Sequence, residues 1–223
     1  MTERKRIEAE RAARARQQAA AVAFGRLDAR LPGFAEATGV ARAHGFAPVL
    51  RLAGGQAAAF DQASLLVEDV SVTSHVADGL QERFADRAAL LAGVLADLGL
   101  DARVGELPGE YCPGRHSVNV GGRLKVVGTA QRAVAGAALL TAVVVVGHGA
   151  AIRDVITAVY AALGRPVDPA TAGAIDEVAP GVTVDAVRER VLAAYGQRAE
   201  LREREPGAQL LAHAARLVDG HRP

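Results

Sequence analysis

Lys125 is the residue whose setting most invites chemistry. The chain uses 24 arginines and only two lysines, Lys5 and Lys125. A lone interior lysine in such a chain marks a place where a compact ammonium serves and a planar guanidinium does not. It lies in GGRLKVVGTAQR, residues 121–132, after a Gly-Gly pair that reads as a tight hairpin turn. Gly128, Thr129 and Ala130 follow, small enough to leave room for a ligand, and then Gln131 and Arg132. An ammonium held on a rigid hairpin can stabilise charge that develops on a carbonyl or phosphate oxygen. The alternative is a solvated lysine on an edge strand, and in either case a hairpin lysine is expected to contribute little to the core. A second segment, RLAGGQAAAFD at residues 51–61, ends a strand in adjacent glycines. Gly54 and Gly55 would let backbone N–H groups approach an anion, Arg51 would add charge, and Ala57 and its alanine neighbours would leave space. The spacing is neither a dinucleotide-binding nor a P-loop fingerprint, and an ordinary turn is the plainer reading.

The elements that would carry these segments alternate. AVAFGR reads as a strand, PGFAEATGVARAHG as a helix stopped by Gly45, and PVLRLAGG as a second strand, a β-α-β unit. SLLVEDVSVTS is a further strand before a helix from Asp78 to Leu98, whose apolar positions include Leu80, Phe84, Leu91 and Leu95. SVNV and LKVVG flank the Gly-Gly turn, and TAVVVVG reads as a buried strand. Beyond residue 150 the texture is helical: AAIRDVITAVYAALG, TVDAVRERVLAAYGQRAEL and GAQLLAHAARLVDG. Residues 3–21 are rich in Ala, Glu, Arg and Gln and predict a solvated, charged helix. The expected organisation is therefore an N-terminal helix over 1–21, an α+β domain over 22–149 with a mixed sheet, and a helical region over 150–223.

Composition narrows the function classes. A formal net charge of +1 on 223 residues gives no overall field towards nucleic acid or an anionic membrane. The longest apolar stretch, 133–147, is shorter than the roughly 20 residues a membrane helix needs. The charged start MTERKRIEAE has no signal-peptide core, and the single Cys112 forms no internal disulfide. A cytoplasmic protein with no membrane and no nucleic-acid partner is the expectation. His44, His75, His148, His213 and His221 have no ligand spacing, so no metal site is expected. Asp97, Asp101 and Glu106 form no acid/base pair.

GGRLKVVGTAQR resembles the G-R-K-x-x-G-S-A-Q-R signature of the lipoate-protein ligase and octanoyltransferase family, with Leu124 as one extra residue. RLAGGQAAAFD resembles that family's R-R-x-x-G-G-G-A-V-x-H-D loop, and PGEYCPGRHSVNV the stretch before the lysine. The likeness runs from about Val22 to Gly147. It implies a largely antiparallel α+β domain, shared with biotin-protein ligases, and an acyltransferase or ligase activity in protein lipoylation. Such a ligase would use ATP and Mg²⁺ to form an acyl-adenylate of lipoate or octanoate. The acyl group would then pass to a lysine of a lipoyl carrier domain or a glycine-cleavage H-type protein. By the same resemblance Lys125 would hold the acyl carbonyl and phosphate. Arg51, Gly54, Gly55 and Ala57 would close over the substrate, with Gly128, Thr129, Ala130 and Gln131 lining its site and Asp61 structural or positioning Mg²⁺. Cys112 lies near where cysteine-dependent octanoyltransferases of the superfamily carry a nucleophile. A thiolate there would transfer octanoyl without ATP, with Lys125 or His116 to activate it; a small buried thiol is the alternative. A non-catalytic acyl- or carrier-binding homologue is a third reading. Three departures bear on these: Leu52 replaces the second arginine, Gln56 the third glycine, and Phe60 the histidine before Asp61.

Overall fold

The computed structural model describes residues 20–73, 79–203 and 205–223; nearly all of the helix expected over 3–21 lies outside them, as does His75. Among the described residues the fold is α+β, with eight strands and five α-helices. The expected β-α-β unit is formed by β1 (Ala21–Phe24), α1 (Phe34–Ala43) and β2 (Ala47–Leu50), the strands pairing in parallel from Ala21–Ala47 to Phe24–Leu50. On the other edge of β1, β3 (Ala58–Phe60) pairs antiparallel, so this small sheet runs β2-β1-β3.

The larger sheet is antiparallel. It contains β4 (Ser64–Thr73), β5 (Ala102–Val104), β6 (Val118–Val120), β7 (Leu124–Val134) and β8 (Gly136–Val145), in the order β4-β8-β7-β6-β5. Gly121, Gly122 and Arg123 make the turn between β6 and β7, with the Arg123 N–H donating to the Val120 carbonyl at 3.2 Å and the two glycines at φ of 65° and 66°, a left-handed conformation that glycine adopts without a Cβ penalty. The pairing slips once. Asn119 faces Lys125 but Val118 faces Val127, leaving Val126 as an extra residue on β7, a β-bulge. β8 is longer than the expected TAVVVVG strand because Gly136–Leu140 also pairs, with β7 on one side and β4 on the other. The three-residue strands β3 and β5 were not expected, being too short to show a period of two.

Each sheet carries its own helices. The inner face of α3 (Gly149–Ala162) presents Ile152, Val155, Ile156, Val159 and Tyr160, at helical spacing, to a core shared with Val22 and Phe24 of β1 and Ala37 and Ala41 of α1. The expected boundary at residues 149 and 150 thus falls at the first turn of a helix packed into the core of the small sheet. α2 (Leu80–Asp97) and α4 (Val184–Gly196) cover the large sheet, with Leu91, Leu95, Val187 and Val191 against Val118, Val127 and Val144. α5 (Ala208–Leu217) buries no residue. No described helix is long and apolar enough to cross a membrane.

Candidate active site

Lys125 is not a solvated hairpin lysine. It is 1% exposed, and its ammonium donates to Glu110 Oε1 at 2.9 Å, the Tyr111 carbonyl at 2.8 Å and the Cys112 carbonyl at 2.9 Å. The three protons of the ammonium thereby meet three acceptors, and Nζ also lies 4.7 Å from the Tyr111 ring centroid. Glu110 is buried too. It accepts further bonds from the Leu107 N–H at 3.0 Å, the Gly114 N–H at 3.2 Å and the Ser117 hydroxyl at 2.6 Å. Such extra bonds are what allow a buried ion pair to offset its desolvation. The expectation of little contribution to the core is overturned: the Lys125–Glu110 pair is the post around which residues 107–117 are wound.

That loop presents Cys112. Its φ of 42° lies in the left-handed region, uncommon for a residue with a Cβ and held only where surroundings determine it. Here the Cys112 N–H donates to Tyr160 Oη at 2.7 Å, while Sγ accepts the Gln56 N–H at 3.1 Å and lies 3.8 Å from Arg51 Nη2. Nη2 also donates to the Gln56 carbonyl at 2.6 Å, and Arg51 Nε is buried with no partner. Gly55 has φ of +96°, and a Cβ there would stand 2.7 Å from Arg51 Nη2 and 3.0 Å from Cys112 Sγ. The glycine is therefore required twice, by its backbone and by the sulfur beside it. Two bonds tie this loop to β7: the Gly54 N–H to the Gln131 carbonyl at 3.3 Å, and Arg132 Nη1 to the Leu52 carbonyl at 3.3 Å. The two motifs thus meet around one sulfur.

Burial pushes the phenols of Tyr111 and Tyr160 well above the ordinary tyrosine range, with the neighbouring Cys112 adding to the effect. Both remain protonated hydroxyls. Partial burial and then the Arg115 charge lower His116; its ring stacks on Phe84 and contacts Gln81 Oε1 at 3.2 Å.

A cavity of about 440 Å³ opens beside these groups, within the usual range for a small-molecule site. Arg51, Gly54, Gly55, Cys112, Lys125, Gly128, Thr129, Ala130 and Gln131 line it, together with Ala58, Ala59, Phe84, Thr141 and Val143. Two residues singled out from the sequence stand outside it. Ala57 is buried behind the loop, where its carbonyl accepts from Tyr160 Oη at 3.1 Å. Asp61 is buried and accepts the Ala63 N–H at 2.8 Å, and its Oδ2 meets His148 Nδ1 at 2.6 Å. Among the described residues no group of three or more His, Cys, Asp or Glu could hold a metal ion. Glu110, Tyr111, Ser117 and Tyr160 were missed from the sequence. The contiguous Glu110-Tyr111-Cys112 was the available signal for the first two.

No family model matches the chain. Over 145 residues it is 33% identical to an octanoyl-[GcvH]:protein N-octanoyltransferase of Geobacillus kaustophilus, covering 65% of this chain and 50% of that protein. An octanoyl-[GcvH]:protein N-octanoyltransferase of Exiguobacterium sibiricum is 33% identical over 142 residues, covering 63% and 51%. The chain spans about half the length of these curated relatives. In fold it is similar to lipoate-protein ligase A bound with ATP, with a TM-score of 0.70 at 22% identity over 90% of this chain and 78% of the other. It is equally similar to protein Ta0514 of T. acidophilum with bound lipoic acid, with a TM-score of 0.71 at 20% identity and the same coverage. The architecture is that of the lipoate-protein ligases. The likeness in sequence is thus to octanoyltransferases, over about half of their length, and the likeness in fold is to lipoate-protein ligases.

Proposed function

We propose that the chain is a cysteine-dependent acyltransferase that moves a medium-chain acyl group, octanoyl by the measure of its relatives, to a lysine of a lipoyl-type carrier protein. The observation that carries this reading is Cys112 itself: a thiol at the wall of the cavity, in strained backbone, facing the Gln56 N–H and the Arg51 guanidinium. In the first step Sγ attacks the acyl carbonyl of a donor, and the donor's thiol or amine leaves with the proton given up by Cys112. In the second, the ε-amine of an acceptor lysine attacks the thioester, an amide forms, and the Cys112 thiol is restored. The Gln56 N–H and Arg51 are the donors near the reacting carbon that can take charge from a tetrahedral oxyanion. Lys125 serves by fixing the turn that carries the sulfur. The glycine-cleavage H-type protein named in both relatives is the carrier that the reading favours.

The adenylate route expected from the lysine motif fits these residues less well. A nucleotide triphosphate calls for free cationic donors, and the Lys125 protons are all engaged, Leu52 is apolar and Gln56 narrows the glycine loop. That route is favoured by one observation, the likeness in fold to a ligase bound with ATP. The deciding experiment incubates the protein with an octanoylated carrier or octanoyl thioester without nucleotide and follows intact mass. One octanoyl group on the wild type, absent from Cys112→Ser, together with transfer to a carrier lysine, is the expected result. Transfer by Cys112→Ser that needs ATP and releases an acyl-adenylate would overturn the cysteine reading in favour of the ligase.

A further inference from the structure

Cys112 and the glycine loop are held together twice, once from the cavity side by Arg51 and once from the core side. The second link runs through one hydroxyl. Tyr160 Oη accepts the Cys112 N–H at 2.7 Å and lies 3.1 Å from the Ala57 carbonyl, to which it donates. Ala57 is covalently joined to Gln56, whose N–H meets Cys112 Sγ at 3.1 Å. The three bonds and that peptide link close a ring containing the nucleophile, its facing N–H and a tyrosine 48 residues further along the chain. Tyr160 is 1% exposed, and its ring is set in the core beneath the small sheet. The hydroxyl therefore has a position fixed by α3, independent of either loop.

From this geometry we propose that Tyr160 is a positioning residue for acyl transfer, setting Cys112 Sγ against the Gln56 N–H by holding the two loops in register. The proposal rests on the cysteine reading above. Its physical content is specific. A left-handed backbone at a residue with a side chain persists only when something holds it; Lys125 holds the carbonyls of Tyr111 and Cys112, and the bond from the Cys112 N–H to Tyr160 holds that residue's peptide from the core side. The same bond occupies the Cys112 N–H. The oxyanion formed on attack is then left to the Gln56 N–H and Arg51, so the distance between Gln56 and Sγ governs both the nucleophile and the stabilisation of charge. Gly128 and Ala130, which line the cavity, are not part of the ring. Loss of the hydroxyl should therefore slow the acylation step and leave acyl binding unchanged.

The test is Tyr160→Phe, which deletes the hydroxyl alone, examined by single-turnover acylation of Cys112 with octanoyl thioester across a range of donor concentrations. A rate constant, unlike a yield, does not depend on how much of the variant is folded. The expected result is a fall of at least about tenfold in the limiting rate, the scale set by a small misplacement of reacting groups, with half-saturation within about threefold of wild type. The wild-type Cys112 amide should also be protected from hydrogen exchange, a measurement that stands even if the variant does not fold. Equal limiting rates in Tyr160→Phe and wild type, or an unprotected Cys112 amide, would overturn the role of Tyr160 and leave the cysteine reading standing. Absence of any thioester on wild-type Cys112 would sink the cysteine reading itself, and the assignment of Tyr160 with it.

Discussion

Replacing Lys125 by Met keeps the length of the side chain and removes the charge, leaving Glu110 buried as an unpaired carboxylate. The Leu107 N–H, Gly114 N–H and Ser117 hydroxyl still bond that carboxylate, but its cationic partner is gone, and the Tyr111 and Cys112 carbonyls lose their donor. Breaking a buried ion pair on one side costs about 3–5 kcal/mol. For a chain of this size each kcal/mol moves the melting point by about 2–4 °C, so Lys125→Met should melt about 6–20 °C lower. Lys125→Arg should fare little better, because Lys125 is 1% exposed and its ammonium is enclosed by three acceptors, a setting that a planar guanidinium does not fit. Both should also lose at least about 30-fold in acyl transfer, equivalent to about 2 kcal/mol of transition-state stabilisation, as the loop carrying Cys112 loosens. The assay pairs thermal melts with single-turnover transfer well below the melting point of the variant. Adding Glu110→Gln to Lys125→Met should recover part of the stability, since the stranded charge is then absent. A single variant melting within about 2 °C of wild type would refute the buried-pair argument, as each kcal/mol of the expected cost is worth at least that much.

Gly55→Ala introduces a Cβ that meets Cys112 Sγ and Arg51 at a backbone φ alanine rarely adopts; acylation of Cys112 should fall at least about tenfold, a modest misplacement penalty, checked by the same single-turnover mass assay. Burial holds the Asp28 carboxyl above its ordinary value, against the opposing pull of the Gly25 N–H and of Arg165 and Arg51. The folded state thus retains a proton that the unfolded chain has lost, so this group's contribution makes stability fall as pH rises from the ordinary carboxylate value through the raised one. Asp28→Asn, which can still accept the Gly25 N–H, should remove that fall, and urea titrations of both proteins from pH 3.5 to 7, roughly the ordinary to raised carboxyl range, should show their difference in stability shifting towards the variant at higher pH.

Much of the fold was legible because its signals are local. The glycine pair announced the β6–β7 turn, helical spacing announced α2 and α3, and the β-α-β order of the first unit followed from strand, helix and strand in turn. The site was legible in part for the same reason, since Lys125 and the glycine loop sit in compact motifs. Their environment was not. The acceptors that bury Lys125 include two backbone carbonyls, which no residue type reveals, and a carboxylate 15 residues away in a stretch without regular structure. Tyr160 reads from the sequence as one more apolar position on a helix face, and its hydroxyl gains meaning only when α3 packs beneath the small sheet. Cys112 lacked a convincing local setting because what supports it, the Gln56 N–H and Arg51, comes from more than 50 residues earlier. For Asp61, whose motif position suggested a structural role or one in positioning Mg²⁺, the folded chain supplies the Ala63 N–H and His148 as partners.

The bulge at Val126 bears on how the Lys-x-x-Gly spacing should be counted. Gly128 lies three positions after Lys125, and in a regular strand an odd step places two residues on opposite faces. With Val126 absorbed outside the alternation, both fall on the same side, where a Cβ on Gly128 would lie 3.8 Å from Lys125 Cε. The parity of the strand has been reversed between the residue that holds the Cys112 loop and the small residues that line the cavity. A template that counts β7 by twos from Lys125 would assign Gly128 and Ala130 to the helix-covered face, whereas both line the cavity. The three-residue step in the motif is thus a record of backbone irregularity, written in the sequence as an odd number.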